Sequence, residues 1–183
     1  MSKRVVVIVV AGVLVAALAV GLALFQPWRL VTDRTADEAL LVPAVTSVTA
    51  STSVTTVTTV ATTTSAPPAG PVALAGGPFR SLEHATTGSA TLVRLPDGGH
   101  AVQFEALDTS DGPDLYVYLS DKPADSPEAA FGSGFTNLGE LKANRGNQVY
   151  AVPAGTDLGA VRSVVIWCKR FSAGFAVAPL EQG

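Results

Sequence analysis

From Val5 to Phe25 the chain runs without a single charge or strongly polar side chain. No other stretch restricts the fold so severely. In water such a run cannot be left bare, and as a helix it is roughly 31 Å long, the thickness of one hydrocarbon core. The run predicts a single transmembrane helix in contact with the lipid bilayer through Val5 to Phe25. Lys3 and Arg4 precede it, and Trp28, Arg29 and Arg34 follow it. With basic residues on both flanks, charge sets the orientation only weakly. A cleaved signal peptide, with its site after Ala17-Leu18-Ala19, is the rival reading. The usual apolar region of a signal peptide is shorter than this one, which favours an uncleaved anchor. No cysteine lies near the segment, which argues against a lipid-modified anchor.

Composition then divides the chain. Residues 1–31 form the membrane segment, 32–77 read as a disordered linker, and 78–183 read as one globular domain. The linker opens on Asp33, Asp37 and Glu38, and continues as VTSVTASTSVTTVTTVATTTSAPPAG. Thr and Ser beside Pro is the composition of an O-glycosylated stalk, and an unmodified flexible linker is the plain alternative. Bare Val-Thr repeats are prone to aggregate, which sugars would prevent. As a coil of about 45 residues the linker would reach on the order of 40 Å. A stalk of this kind belongs outside a membrane, so the C-terminal domain is expected on the extracytoplasmic side.

Residues 78–183 carry eight basic and twelve acidic side chains, a net of −4. That balance argues against nucleic acid as a partner. One cysteine cannot form an intramolecular disulfide. Short β-rich runs divided by turn residues fill the region: 79–84, 89–95, 100–107, 114–120, 146–153, 162–169 and 171–180. Pro96-Asp97-Gly98-Gly99 reads as a hairpin turn between the second and third. Asp114–Ser120 alternates Leu115, Val117 and Leu119 with Tyr116 and Tyr118. Ser126-Pro127-Glu128 can start one helical turn in the longer loop 122–134. The pattern predicts an all-β fold, an antiparallel β-sandwich of Ig-like or jelly-roll-like form, preceded by one transmembrane helix and a linker.

The stretch SVVIWCKRFSAGF, Ser163–Phe175, holds the only cysteine, Cys168, next to Trp167. Alternation in a strand sends Val164, Ile166 and Cys168 to one face and Val165, Trp167 and Lys169 to the other. A buried thiol behaves as a small hydrophobe, whereas an accessible one outside the cell is oxidised or paired. Lys169 and Arg170 lie close enough in sequence to lower a thiol pKa, but strand neighbours point apart. Core filling, a redox role and an intermolecular disulfide all remain open on these grounds.

Five pieces in one order carry a resemblance: His84 with TTGSA at 86–90, GPDLYVYLS at 112–120, LGELKANRGNQVYAVP at 138–153, SVVIWCKRF at 163–171, and the closing 175–180. Together they resemble the DM-thirteen domain, a module linked to electron transfer whose bacterial relatives are commonly membrane-anchored. The resemblance covers essentially all of 77–183. It implies an all-β domain outside the cytoplasm and a signature cysteine, here Cys168, acting as a redox thiol or as a ligand to a prosthetic group such as haem. Cys168, His84 and Trp167 are then the candidate cofactor-binding residues, with Cys168 the candidate catalytic one, and an envelope redox protein the expected partner.

Other constellations are thinner. No C-x-x-C-H occurs, so covalent haem attachment of the c type is out. His100 opens a strand and is a weaker ligand candidate than His84. Zinc would need three or four ligands, and Cys168 with two separated histidines does not supply them. Asp108, Asp111 and Asp114 could serve calcium, but aspartates before Gly and Pro ordinarily make turns. Tyr116 and Tyr118 on one face could pass electrons or bind a ligand, or simply form an aromatic ladder. No Ser-His-Asp order, phosphate loop or dinucleotide fingerprint is present, so hydrolase or transferase chemistry has no residues to carry it. Two functions remain: an extracytoplasmic redox module centred on Cys168, and a non-catalytic envelope binding or structural module in which Cys168 only packs.

Overall fold

A computed structural model describes residues 3–26, 28, 32–43 and 70–180. Helix α1, Lys3–Phe25, contains a nineteen-residue apolar span, Val6–Leu24, long and apolar enough to cross a membrane. None of that span is buried against protein. Among the described residues ten strands follow: β1 (Thr35–Asp37), β2 (Val72–Pro78), β3 (Arg80–Ser81), β4 (Thr87–Arg94), β5 (His100–Asp108), β6 (Leu115–Ser120), β7 (Phe135–Glu140), β8 (Arg145–Ala151), β9 (Ser163–Cys168) and β10 (Ala173–Pro179).

They form two five-stranded sheets. The first has the order β1-β8-β5-β4-β2 and the second β3-β10-β9-β6-β7. Every pairing is antiparallel except β1 against β8. The core lies between the sheets: Leu92, Val102 and Phe104 of the first meet Val117, Ile166 and Ala178 of the second. This is the sandwich that the short alternating runs predict. The β4–β5 hairpin turns where expected, with Leu95 N–H donating to the Gly99 carbonyl at 2.8 Å and Gly98 at a φ of +84°.

Strand β9 is buried along its whole length. Its alternation sorts two cores. Val164, Ile166 and Cys168 join the cluster between the sheets, while Val165 and Trp167 join a second cluster on the outer face with Tyr118, Phe131 and Val177. Phe131 comes from a 3-10 turn, Glu128–Gly132, which follows Pro127 in the loop between β6 and β7.

The structure departs from the sequence reading in the first sheet. Residues 32–77 do not form one linker, because β1 and β2 lie within them and occupy opposite edges of the same sheet. Residues 38–71 separate these strands, so the Thr/Ser-rich stretch joins two edges of one sheet instead of standing between α1 and the domain. Glycosylation and disorder of that stretch lie outside the described residues. β7 is also an addition, and the strand expected over 79–84 shrinks to Arg80–Ser81.

Residues 33–43 form a strap across the first sheet. Arg145 N–H donates to the Arg34 carbonyl and Glu38 N–H to the Asn147 carbonyl, both at 3.0 Å. Gly146 makes room for it: at φ +93°, a side-chain carbon there would fall on the Ala36 carbonyl oxygen. Further along, the Gln103 amide receives Leu41 N–H at 2.9 Å and Val42 N–H at 3.1 Å, and donates to the Val42 carbonyl at 2.8 Å.

Candidate functional site

Cys168 ends β9, and the chain turns through Lys169–Ser172 into β10. Leu115 is its register partner on β6 and Ala173 on β10. The sulfur is free and fully shielded from solvent. Burial pushes the thiol pKa up; backbone N–H groups of Phe171 and Arg170, donating to the sulfur, oppose the rise, Asp114 adds to it and the Arg170 charge opposes it. The resultant is a protonated thiol at neutral pH, held in the turn by two peptide donors. Its nucleophilicity is low in this state, because the thiolate is the reactive form.

His84 lies at the same end of the sandwich. Leu82 and Glu83 donate their N–H groups to the carbonyls of Phe175 and Gly174, and this carries the chain past β10. The imidazole stacks on the Phe175 ring, with centroids 3.8 Å apart and planes 25° apart. Phe175 belongs to the same apolar cluster as Cys168. His84 thus covers a ring that packs in the sulfur's cluster.

Trp167 is on the other side of the sheet. Strand alternation separates it from Cys168, so the two cannot line one pocket. Its neighbours form an aromatic row: Tyr116 is its register partner, Tyr116 and Tyr118 have ring centroids 6.2 Å apart, and Tyr118 stacks on Phe135 at 3.9 Å with planes 3° apart. Lys169 Nζ sits 5.5 Å from the Tyr116 ring centroid, within cation–π range. Desolvation raises the pKa of both tyrosines, and the Glu140 and Asp114 charges add to it at Tyr116.

A haem needs an apolar slot against its axial ligand. Cys168 as placed does not offer one: its sulfur is enclosed with Leu115, Ile166 and Phe175, and His84 is stacked flat on a ring. The three candidates therefore do not fit the group in this packing. Among the described residues no three His, Cys, Asp or Glu side chains converge to hold a metal. Two of the three calcium candidates are engaged elsewhere. Asp108 pairs with Arg145 at 3.0 Å, and Asp111 takes a forked pair of bonds from Arg34 at 2.9 and 3.2 Å. His100 opens β5 at the opposite end of the sandwich from Cys168.

Two features were missed. Beside the sulfur end, Asn144 is fully buried, accepting Arg34 N–H at 2.7 Å and donating to Asp33 at 3.0 Å and to the Thr109 carbonyl at 2.9 Å. The Asp-Gly-Pro turn signal at 111–113 hinted at a structured loop but not at a cation from residue 34. At the far end, a cleft of about 880 Å³ lies among Arg80, Ala124, Val161, Arg162 and Leu180. Both arginines donate to backbone carbonyls there, Arg80 to Ala124 and Arg162 to Gly159 and Val161.

Set against known families, the chain matches one model, described as Electron transfer DM13, over residues 78–180. No curated protein matches the chain, and no solved structure does. The matched span begins at Pro78, the last residue of β2, so the strap and the rest of β2 lie outside it.

Proposed function

Since the chain belongs to the DM13 electron-transfer family, we propose that it is an electron-transfer module anchored by α1, extracytoplasmic, and centred on Cys168. An envelope redox protein is the partner with which it exchanges electrons. The observation that carries this reading is the placement of the sulfur. It closes a strand, and two peptide N–H groups of the next turn point at it, the arrangement that stabilises electron density on sulfur. Two further supports are the family description and the helix, apolar enough for a membrane.

A second reading has its own observation. Complete burial with a raised pKa is what a structural core thiol shows, and a binding or structural envelope module needs nothing more. An absorption spectrum of the purified full-length chain, before and after Cys168→Ser, separates the two. A visible absorption band that disappears in C168S supports the redox centre. A colourless protein whose thiol reacts only after denaturation supports the structural role and overturns the redox centre. Reaction of the native thiol, with no chromophore, keeps the redox reading and moves the chemistry onto the bare sulfur.

A further inference from the structure

The strap enters the sandwich at the end that holds the sulfur. β1 begins at Thr35, opposite Arg145; Arg145 stands opposite Asp108; and the loop after Asp108 returns at Leu115, the partner of Cys168. Helix α1 ends at Phe25, and among the described residues the first backbone group held by the sandwich is Arg34 N–H, on Asn144. Nine peptide units separate the two, at most about 31 Å when fully drawn out. Strand β5, nine residues long, is about 27 Å. To turn its far end to the bilayer, the sandwich would have to stretch this tether almost taut along its whole length. With the sulfur end down, no such stretch is required.

The turn at that end suits a bilayer surface. Phe171 is 53 % exposed, the most exposed large hydrophobic of 70–180, and Lys169 and Arg170 beside it are exposed as well. The Arg170 guanidinium donates to the Leu24 carbonyl at the end of α1. Of the other exposed large hydrophobics of the domain, Val72 pairs with Arg94 and Phe135 with Ser120, both at the opposite end. The acidic groups near the turn on neighbouring elements are Glu83, Asp114, Glu128 and Glu140. The two cations are therefore outnumbered, and the contact depends on the aromatic ring and on the short tether that keeps it close.

We propose that the Lys169–Ser172 turn is a lipid-headgroup contact, with Phe171 seated in the interfacial zone and Lys169 and Arg170 on lipid phosphates, so that the Cys168 end faces the membrane. This rests on α1 being a membrane span. The contact bears on the sulfur, because the peptide N–H groups of Arg170 and Phe171 are the donors that hold it. It also leaves the cleft of Arg80 and Arg162 facing away from the lipid, towards solution.

The test uses the full-length chain in vesicles of phosphatidylcholine doped with phosphatidylglycerol. A nitroxide is placed at S172C, beside the intact Phe171, and for comparison at A154C in the exposed loop after β8 at the other end. Both are made with Cys168→Ser and, as a check on folding, with Cys168 left in its buried place. The expected result is a 172 label shielded from an aqueous nickel chelate and open to oxygen, with the 154 label fully aqueous. Removing the ring, F171A, should raise nickel collisions at 172 roughly tenfold, the chain still resisting alkaline carbonate. Equal aqueous exposure at 172 and 154 in carbonate-resistant protein overturns the contact while leaving the anchor intact. Release of the unmodified chain by carbonate overturns the anchor, and the contact with it.

Discussion

The two sheets of this sandwich face each other across one apolar core, yet their outer faces are sealed by opposite means. The second sheet is covered by a plug of hydrocarbon: Phe131, fully buried, lies with Val165, Trp167 and Val177. The first sheet is covered by polar main chain: Gln103 and Gln148 are buried on it, the strap bonding to Gln103 and the backbone of Ala143 to Gln148. The plug stems from a nearby loop and is held by an effect that needs no direction. The strap comes from a segment some sixty to a hundred residues away and is held by bonds that fail when misaligned. The domain therefore has a side that tolerates movement poorly and a side that can be unfastened.

The largest effect should come from breaking the plug. Phe131→Ala removes a fully buried ring, and we expect a loss of about 3–5 kcal/mol, read from chemical denaturation. Next is the fastening of the strap. Arg34→Ala leaves Asp111, whose side chain is 1 % exposed, without its cation. Water can reach the partly exposed Arg34 site, so the loss should be about 2 kcal/mol, at the low end for a broken buried pair. Gln103→Leu should cost about 1–2 kcal/mol, because the three strap bonds go but the freed peptide groups can turn to water. The comparison is sharpened by how these losses appear. F131A should unfold the domain as one unit. R34A and Q103L should first expose 33–43 to hydrogen exchange and protease, and combining them should cost less than their sum, since both release one segment. Global unfolding in Q103L with no local release would mean that the two faces are sealed alike.

Much of the second sheet could be read in the chain because its signals are local. Val164, Ile166 and Cys168 against Val165 and Trp167 is a plain period of two, and the residues fall where that period sends them. Pro96-Asp97-Gly98-Gly99 makes its hairpin for the same reason. β1 gave no such signal. Thr35-Ala36-Asp37 has no apolar alternation, and its pairing with Arg145–Asn147 lies more than a hundred residues away. The one local trace is Gly146, which lets the Ala36 carbonyl approach, and a glycine after arginine reads equally well as an ordinary turn. Gln103 pointed the same way in hindsight: a polar residue in a strand that alternates with Val102 and Phe104 reads as a wet face. The distant strap is what covers it. The candidate site was legible in part, since Cys168 can be placed from period alone. That Trp167 faces away from it follows too, whereas the stacking of His84 on Phe175 depends on a bulge between Gly174 and Ala176.

The smallest expected effect is one of pH, and it divides between the sheets. Burial raises the pKa of Cys168 on the second sheet, and of Tyr150 on the first, where Tyr150 O–H donates to Gln148 at 2.6 Å and accepts Lys142 N–H at 3.1 Å. Both are acids whose folded pKa exceeds the unfolded value. The unfolded chain therefore loses its protons first as pH rises. The stability that these groups contribute is whole below pH 9.0 for the thiol and 10.0 for the phenol, and is lost progressively above those values. Each group can cost up to about 1.4 kcal/mol per pH unit until its folded pKa is reached. Alkaline denaturation should thus begin above pH 9, with C168S removing its first part and Tyr150→Phe some of the part above 10, which Tyr116 and Tyr118 share. If C168S left the whole alkaline limb unchanged, the sulfur would have to be as open to water in the folded protein as in the unfolded chain, and the sealed second sheet would not be sealed at its end.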